Sequence, residues 1–91
     1  MHTFLISYDL RKPGRKYDEL YEAIKKLGTW ARPLESVWMV RSGSTSSLIC
    51  DELKKHVDAT DGLLVVMLAD LTWSTLGVDQ PVIDWLKRNQ V

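Results

Sequence analysis

Thr3-Phe4-Leu5-Ile6-Ser7-Tyr8-Asp9-Leu10, followed at once by Arg11-Lys12-Pro13-Gly14-Arg15-Lys16, is the stretch from which the rest of the chain can be placed. Phe4, Ile6 and Tyr8 alternate with Leu5, Ser7 and Asp9, the period of a strand with two different neighbours. Helices suit the first, fully apolar face. The second face turns polar toward its end and delivers one carboxylate, Asp9, to a loop crowded with positive charge. Pro13-Gly14 stops the strand there.

Working outward, Tyr17, Leu20, Tyr21, Ile24 and Leu27 recur at helical spacing, which predicts an amphipathic helix over about Arg15 to Leu27. Lys25 and Lys26 in its last turn suit the helix dipole, and Gly28 reads as a left-handed C-cap. Thr29 to Val40 is apolar and aromatic but broken by Pro33, which cannot donate to a ladder. Two short strands are therefore expected, about Thr29–Arg32 and Ser36–Arg41, joined by a turn or bulge. A polar loop rich in N-cap residues then opens a second helix from Ser47 to about Val57. Asp61-Gly62 turns the chain into Leu63-Leu64-Val65-Val66-Met67-Leu68, a continuous apolar run that predicts a strand buried on both faces. A last helix is expected from Asp79 to about Asn89, with Pro81 in its first turn.

The order strand, helix, strand, strand, helix, strand is the split βαβ layout: an α+β, ferredoxin-like fold. Residues 1–70 form that domain, with helices on one face of an antiparallel four-stranded sheet, and residues 71–91 form a C-terminal appendage. That appendage packs on the same domain or on a dimer partner. Two helices cover only one face, yet Leu63–Leu68 and Val37-Trp38-Met39-Val40 are apolar on both sides. Four such side chains left in water would forgo roughly 6–12 kcal/mol at about 1.5–3 each. The tail helix covers part of the second face in this reading, and a second copy of the sheet covers the remainder. A sheet-to-sheet homodimer is the expectation.

Bulk composition sets the outer limits. The 91 residues are 45% hydrophobic and 26% charged with zero net charge, an ordinary balance for one globular domain. No apolar run reaches the roughly 18 residues of a membrane helix, and the N-terminus lacks a signal-peptide layout. A single cysteine, Cys50, excludes an internal disulfide and fits the cytoplasm. The zero charge conceals an asymmetry. Residues 1–50 carry eight Lys/Arg against five Asp/Glu, a balance of +3, and residues 51–91 carry four against seven, a balance of −3. Much of the positive excess lies beside Asp9, so a local basic face is expected.

For chemistry, Asp9 is the leading candidate. Across a two-fold axis, two copies would pair their carboxylates and suit a hard cation such as Mg²⁺ between protein oxygens and a phosphate. Arg11, Lys12, Arg15 and Lys16 would hold a nucleic-acid backbone, with Arg32 also in reach of phosphate. The alternative is that Asp9 caps a turn and pairs with Arg11 or Arg15 in its own loop. Trp30, Trp38, Tyr8 and Tyr17 offer stacking surfaces for single-stranded RNA, although their periodic positions fit core packing better. His2 and His56 have no partners at metal-ligand spacing. No phosphate loop, zinc spacing or catalytic triad is present.

The strand Phe4-Leu5-Ile6-Ser7-Tyr8-Asp9, its basic loop and helix, then Gly28-Thr29-Trp30 and Ser36-Val37-Trp38, together resemble the CRISPR-associated protein 2 family. Its wider superfamily includes the virulence-associated protein D toxins. The resemblance spans about residues 3–68. It implies a ferredoxin-like homodimer, with Asp9 in the place of the family aspartate and Arg11 to Arg15 in that of its basic loop. It also implies one of two roles: a metal-dependent endonuclease, or a structural partner of another protein. The longer spacing from Gly28 to Ser36, with Pro33 between, and Met39 after Trp38 mark a divergent, stand-alone relative. Two functions are therefore expected. The first is a Mg²⁺-dependent endonuclease, on RNA before DNA, with Asp9 catalytic. The alternative is a non-catalytic dimeric adaptor for nucleic acid or protein, such as half of a toxin–antitoxin pair.

Overall fold

The computed structural model describes residues 1–12 and 17–89. Its elements run β1 (His2–Asp9), α1 (Asp18–Lys25), β2 (Thr29–Leu34), β3 (Val37–Ser42), α2 (Ser46–Leu53), β4 (Gly62–Leu68) and α3 (Gln80–Arg88), with a 3-10 turn at Lys54–His56 after α2. The four strands form one sheet in the order β2-β3-β1-β4, every neighbouring pair antiparallel. This α+β arrangement is compatible with the ferredoxin-like layout. Among the described residues no helix is long and apolar enough to cross a membrane.

Strand alternation does what the first eight residues imply. Phe4, Ile6 and Tyr8 are buried with Trp38 and Val40 from β3, against Leu20 and Ile24 of α1 and Ile49 and Leu53 of α2. The register places Ile6 between Trp38 and Val65, so the apolar rows of three strands line up under the two helices. Opposite the helices, Leu5 lies between Met39 and Val66. That second face carries a separate core of Ala31, Met39, Trp85 and Leu86, with Leu68, Leu71, Trp73 and Val82 packed on it. The amphipathic tail helix α3 thus lies on the face that α1 and α2 leave open, at the β2 side of the sheet. Toward β4 the same face stays uncovered: Leu64 is 55% and Val66 38% exposed.

Helix boundaries differ from the sequence reading for identifiable reasons. Thr45 caps α2 by accepting the Leu48 backbone N–H at 3.2 Å, and the chain leaves α-geometry at Lys54. At the end of α1 the cap is Lys26, and Gly28 is not left-handed; Gly77, at φ 69°, is the residue with that conformation among those described. Gly28 is needed for space instead, because a Cβ there would collide with the Arg41 backbone carbonyl. Pro33 lies inside β2, not between strands. The strand sits at the sheet edge and shifts register between Ala31 and Leu34, so no ladder donor is required of the proline. The turn between β2 and β3 falls at Glu35 and Ser36.

Phe4 is fully buried at the centre of the larger core. Phe4→Ala is expected to destabilise the fold by about 3–5 kcal/mol, the range for emptying an aromatic core position. Exposed Met67→Ala is expected to cost far less. Denaturant unfolding of the two variants checks the contrast.

Candidate functional site

The carboxyl end of β1, the start of the basic loop and the turn before β4 meet at one end of the sheet. Asp9 pairs with Gly62 in the β1–β4 register, on the face opposite α1 and α2. Its side chain is 70% exposed and accepts a hydrogen bond from Arg11 Nε at 2.9 Å. Arg11 is held by two further contacts. Its backbone N–H donates to Asp61 Oδ1 at 2.7 Å, and its Nη1 donates to the Thr60 carbonyl at 3.1 Å. Lys12 Nζ reaches Asp58 Oδ1 at 3.3 Å. Arg11, through its backbone N–H and its guanidinium, and Lys12, through its ammonium, are thus fastened to a turn about fifty residues further along the chain.

That turn is itself tightly organised. Asp58 Oδ2 accepts from Thr60 Oγ1 at 2.7 Å and from the Thr60 backbone N–H at 3.1 Å. Asp61 Oδ2 accepts from the Asp58 backbone N–H at 2.8 Å and from the Tyr17 hydroxyl at 2.8 Å, linking the turn to the entry of α1. These donors favour the ionised carboxylates. The Thr60 hydroxyl, the Thr60 N–H and Lys12 hold the Asp58 carboxyl down at about 2. Burial works against ionisation of Asp61, but the Arg11 and Asp58 backbone N–H groups and the Tyr17 hydroxyl outweigh it, and its pKa is lowered.

Arg32 belongs to a neighbouring but separate network on the helix-covered side. The buried Tyr8 hydroxyl donates to the Glu35 carbonyl at 2.9 Å and accepts from Trp38 Nε1 at 3.0 Å. Arg32 donates to the same carbonyl, at 2.6 Å from Nη2, and to the Tyr8 hydroxyl at 3.3 Å. Its guanidinium lies 4.6 Å from the Tyr21 ring centre and 4.9 Å from that of Trp38. Burial raises the Tyr8 pKa despite the donors from Trp38 and the nearby Arg32 charge. Arg32 thus braces the β2–β3 turn onto an aromatic cluster.

Of the residues singled out from sequence, Asp9, Arg11 and Lys12 come together, Arg32 stands apart, and Arg15 and Lys16 lie outside the described residues. Trp30 packs against Trp38 in a tilted pair with ring centres 5.2 Å apart and Lys25 over its ring; Trp38 is buried, whereas Trp30 is 41% exposed. Asp58, Thr60 and Asp61 are the partners that sequence reasoning did not assign; the Asp-x-Thr-Asp-Gly turn hints at side-chain capping but not at what it would hold. Within one chain this donor set does not fit Mg²⁺. Asp58 and Asp61 are already bonded by N–H and O–H donors, and Asp9 is the only carboxylate of the cluster that faces away from the turn. No group of three or more His, Cys, Asp or Glu side chains suited to a metal occurs among the described residues. No protein-family model matches the chain.

The turn supplies a pH signature. A carboxylate whose folded pKa is depressed stabilises the fold fully above its ordinary value, and that stabilisation is lost as pH falls toward the folded value. For Asp58 the window runs from its ordinary 3.8 down to about 2. The thermal midpoint is expected to fall across that window, and Asp58→Asn, which cannot titrate, is expected to flatten the fall. Equal slopes in the two proteins would show that the turn does not control acid stability.

Proposed function

We propose that this chain is a dimeric, non-catalytic adaptor, a module that assembles with a partner and performs no chemistry of its own. The observation that carries the reading is the 2.9 Å pair between Asp9 and Arg11 inside one loop. A carboxylate awaiting a metal ion is better left without a cation bonded to it, and phosphate-binding cations are better left without carboxylates. Here Arg11 and Lys12 each hold an acid of their own chain.

The dimer half of the proposal is supported by the uncovered portion of the second face. Exposed Leu64 and Val66 lie there beside partly buried Leu5 and Val37, with Ser7 between Val37 and Leu64, an area without charge outside the α3 core. It borders β4, an edge strand with neither proline nor charge along Gly62–Leu68, which is the kind of edge that templates further association. An area without charge has nothing to select a foreign charged partner, whereas it is complementary to a copy of itself across a two-fold axis.

A second reading has its own observation. The Asp9–Arg11 pair is exposed on both sides, and exposed pairs are worth at most about 1 kcal/mol, so a competing ligand would separate them at small cost. In a sheet-to-sheet dimer Asp9 lies at the margin of the interface face, where two copies would face a shared substrate. That reading is the Mg²⁺-dependent endonuclease, with RNA before DNA as substrate.

One assay separates them. Purified protein is incubated with Mg²⁺ and end-labelled single-stranded RNA or duplex DNA, beside a folded Asp9→Ala variant. The adaptor reading expects no cleavage above that of the variant. Metal-dependent cleavage that vanishes in Asp9→Ala would overturn it in favour of the nuclease.

A further inference from the structure

The second edge strand, β2, differs from β4 in every respect that matters for a partner. Helix α3 runs beside it, and together they wall a groove of about 300 Å³ lined by Trp30, Ala31, Arg32, Pro81, Val82, Trp85 and Arg88. Its apolar floor is Ala31, Val82 and Trp85, with no acid among the lining residues; the Arg32 guanidinium is held by the Glu35 carbonyl and the Tyr8 hydroxyl, so Arg88 is the charge the groove offers. Neither Arg32 nor Arg88 forms an ion pair with a carboxylate among the described residues.

Three observations narrow the occupant. As an edge strand, β2 has one row of backbone N–H and C=O groups with no ladder partner, and an extended peptide satisfies such a row by adding as a further strand. Arg88, which forms no ion pair with a carboxylate among the described residues, favours negative charge. Trp85 is 4% exposed, and its indole N–H has no acceptor among the described residues. That N–H is enclosed in the free protein, so it gains a partner only where an added segment shifts the indole. A single-stranded nucleic acid would share the anionic charge and could stack on the exposed Trp30, but it has no row of amide groups to pair with the β2 edge, and this favours a peptide.

We propose that the groove between β2 and α3 takes an extended, acidic segment of a partner protein, added as a strand along Thr29–Arg32. The proposal rests on the adaptor reading and supplies its partner class. Pro33 and the register shift end the available edge at Arg32, so the contact is short. Arg88 at the end of α3 then meets an acidic side chain of the added segment, and an aliphatic side chain beside it meets Val82.

A random dodecapeptide display library, panned on the intact protein, tests this. Enriched peptides are expected to pair acidic with aliphatic residues at strand spacing. Synthesised and added to the protein, such a peptide is expected to slow amide exchange in β2 and to move the indole N–H resonance of Trp85. The indole of Trp38, already bonded to Tyr8, stays in place. Arg88→Glu, an exposed change whose folding is checked by thermal unfolding, is expected to weaken binding about tenfold, the loss of one charge-assisted contact. Enriched peptides without acidic residues, undiminished binding to Arg88→Glu, or displacement of the peptide by a thymidine octanucleotide would each overturn the proposal. A nuclease result in the cleavage assay would remove the adaptor reading and leave these peptide measurements to stand or fall alone.

Discussion

Strands β1, β3 and β4 carry apolar side chains on both faces, and a sheet built from them cannot leave either face wholly to water. Phe4, Ile6, Tyr8, Trp38 and Val40 need the cover of α1 and α2; Ala31, Met39 and Leu68 need that of α3. Everything else in the molecule is arranged around meeting these two demands with few residues. A chain of this length buries a smaller share of its surface than a large domain does. The demand on the second face is met only on its β2 side. The remaining apolar area, from Leu5 and Val37 to Leu64 and Val66, is what gives the proposed second copy its place.

The ends of the sheet are held by polar networks of two kinds. At the loop end, the Arg11 backbone N–H and the Lys12 ammonium bind an acidic turn, so one ion pair joins the basic first half of the chain to the acidic second half. On the helix-covered side, one hydroxyl, that of Tyr8, joins the Glu35 carbonyl, the Trp38 indole and Arg32. The first network is exposed and contributes orientation more than energy. The second is largely out of water, where a hydrogen bond lost on one side leaves its partner unsatisfied. The exposed Asp9 carboxylate at the end of β1 therefore lies between the Tyr8 network and the Arg11 and Lys12 contacts.

Much of the fold was legible in the residues, for a physical reason. Alternation in β1 and helical spacing in α1 are local patterns, and the burial of Phe4, Ile6, Leu20 and Ile24 follows from them. The continuous run in β4 was legible as a strand but not as a face assignment. The expected burial on both faces is not met: with every residue apolar, nothing distinguishes half-buried Val65 from exposed Leu64 until the helices are placed. The placement of α3 over β2 and β3 was open for the same reason, since its apolar side fits any apolar surface. Pro33 signalled an interruption, whereas an edge position let β2 run through it. Of the candidate site, Asp9 pairing with Arg11 was readable as a neighbour interaction two residues apart. The Arg11–Asp61 and Lys12–Asp58 contacts were not, because they join residues 50 and 46 apart and depend on the strand register.

The proposed closure of the second face by another copy is tested most directly by sedimentation equilibrium of the full chain beside Leu64→Glu. Dimerisation through this face gives a mass twice the 10.5 kDa of one chain, and a charge at position 64 returns it to that of the single chain. A wild-type protein that remains at the single-chain mass across the concentration series, or a dimer unaffected by Leu64→Glu, would contradict it.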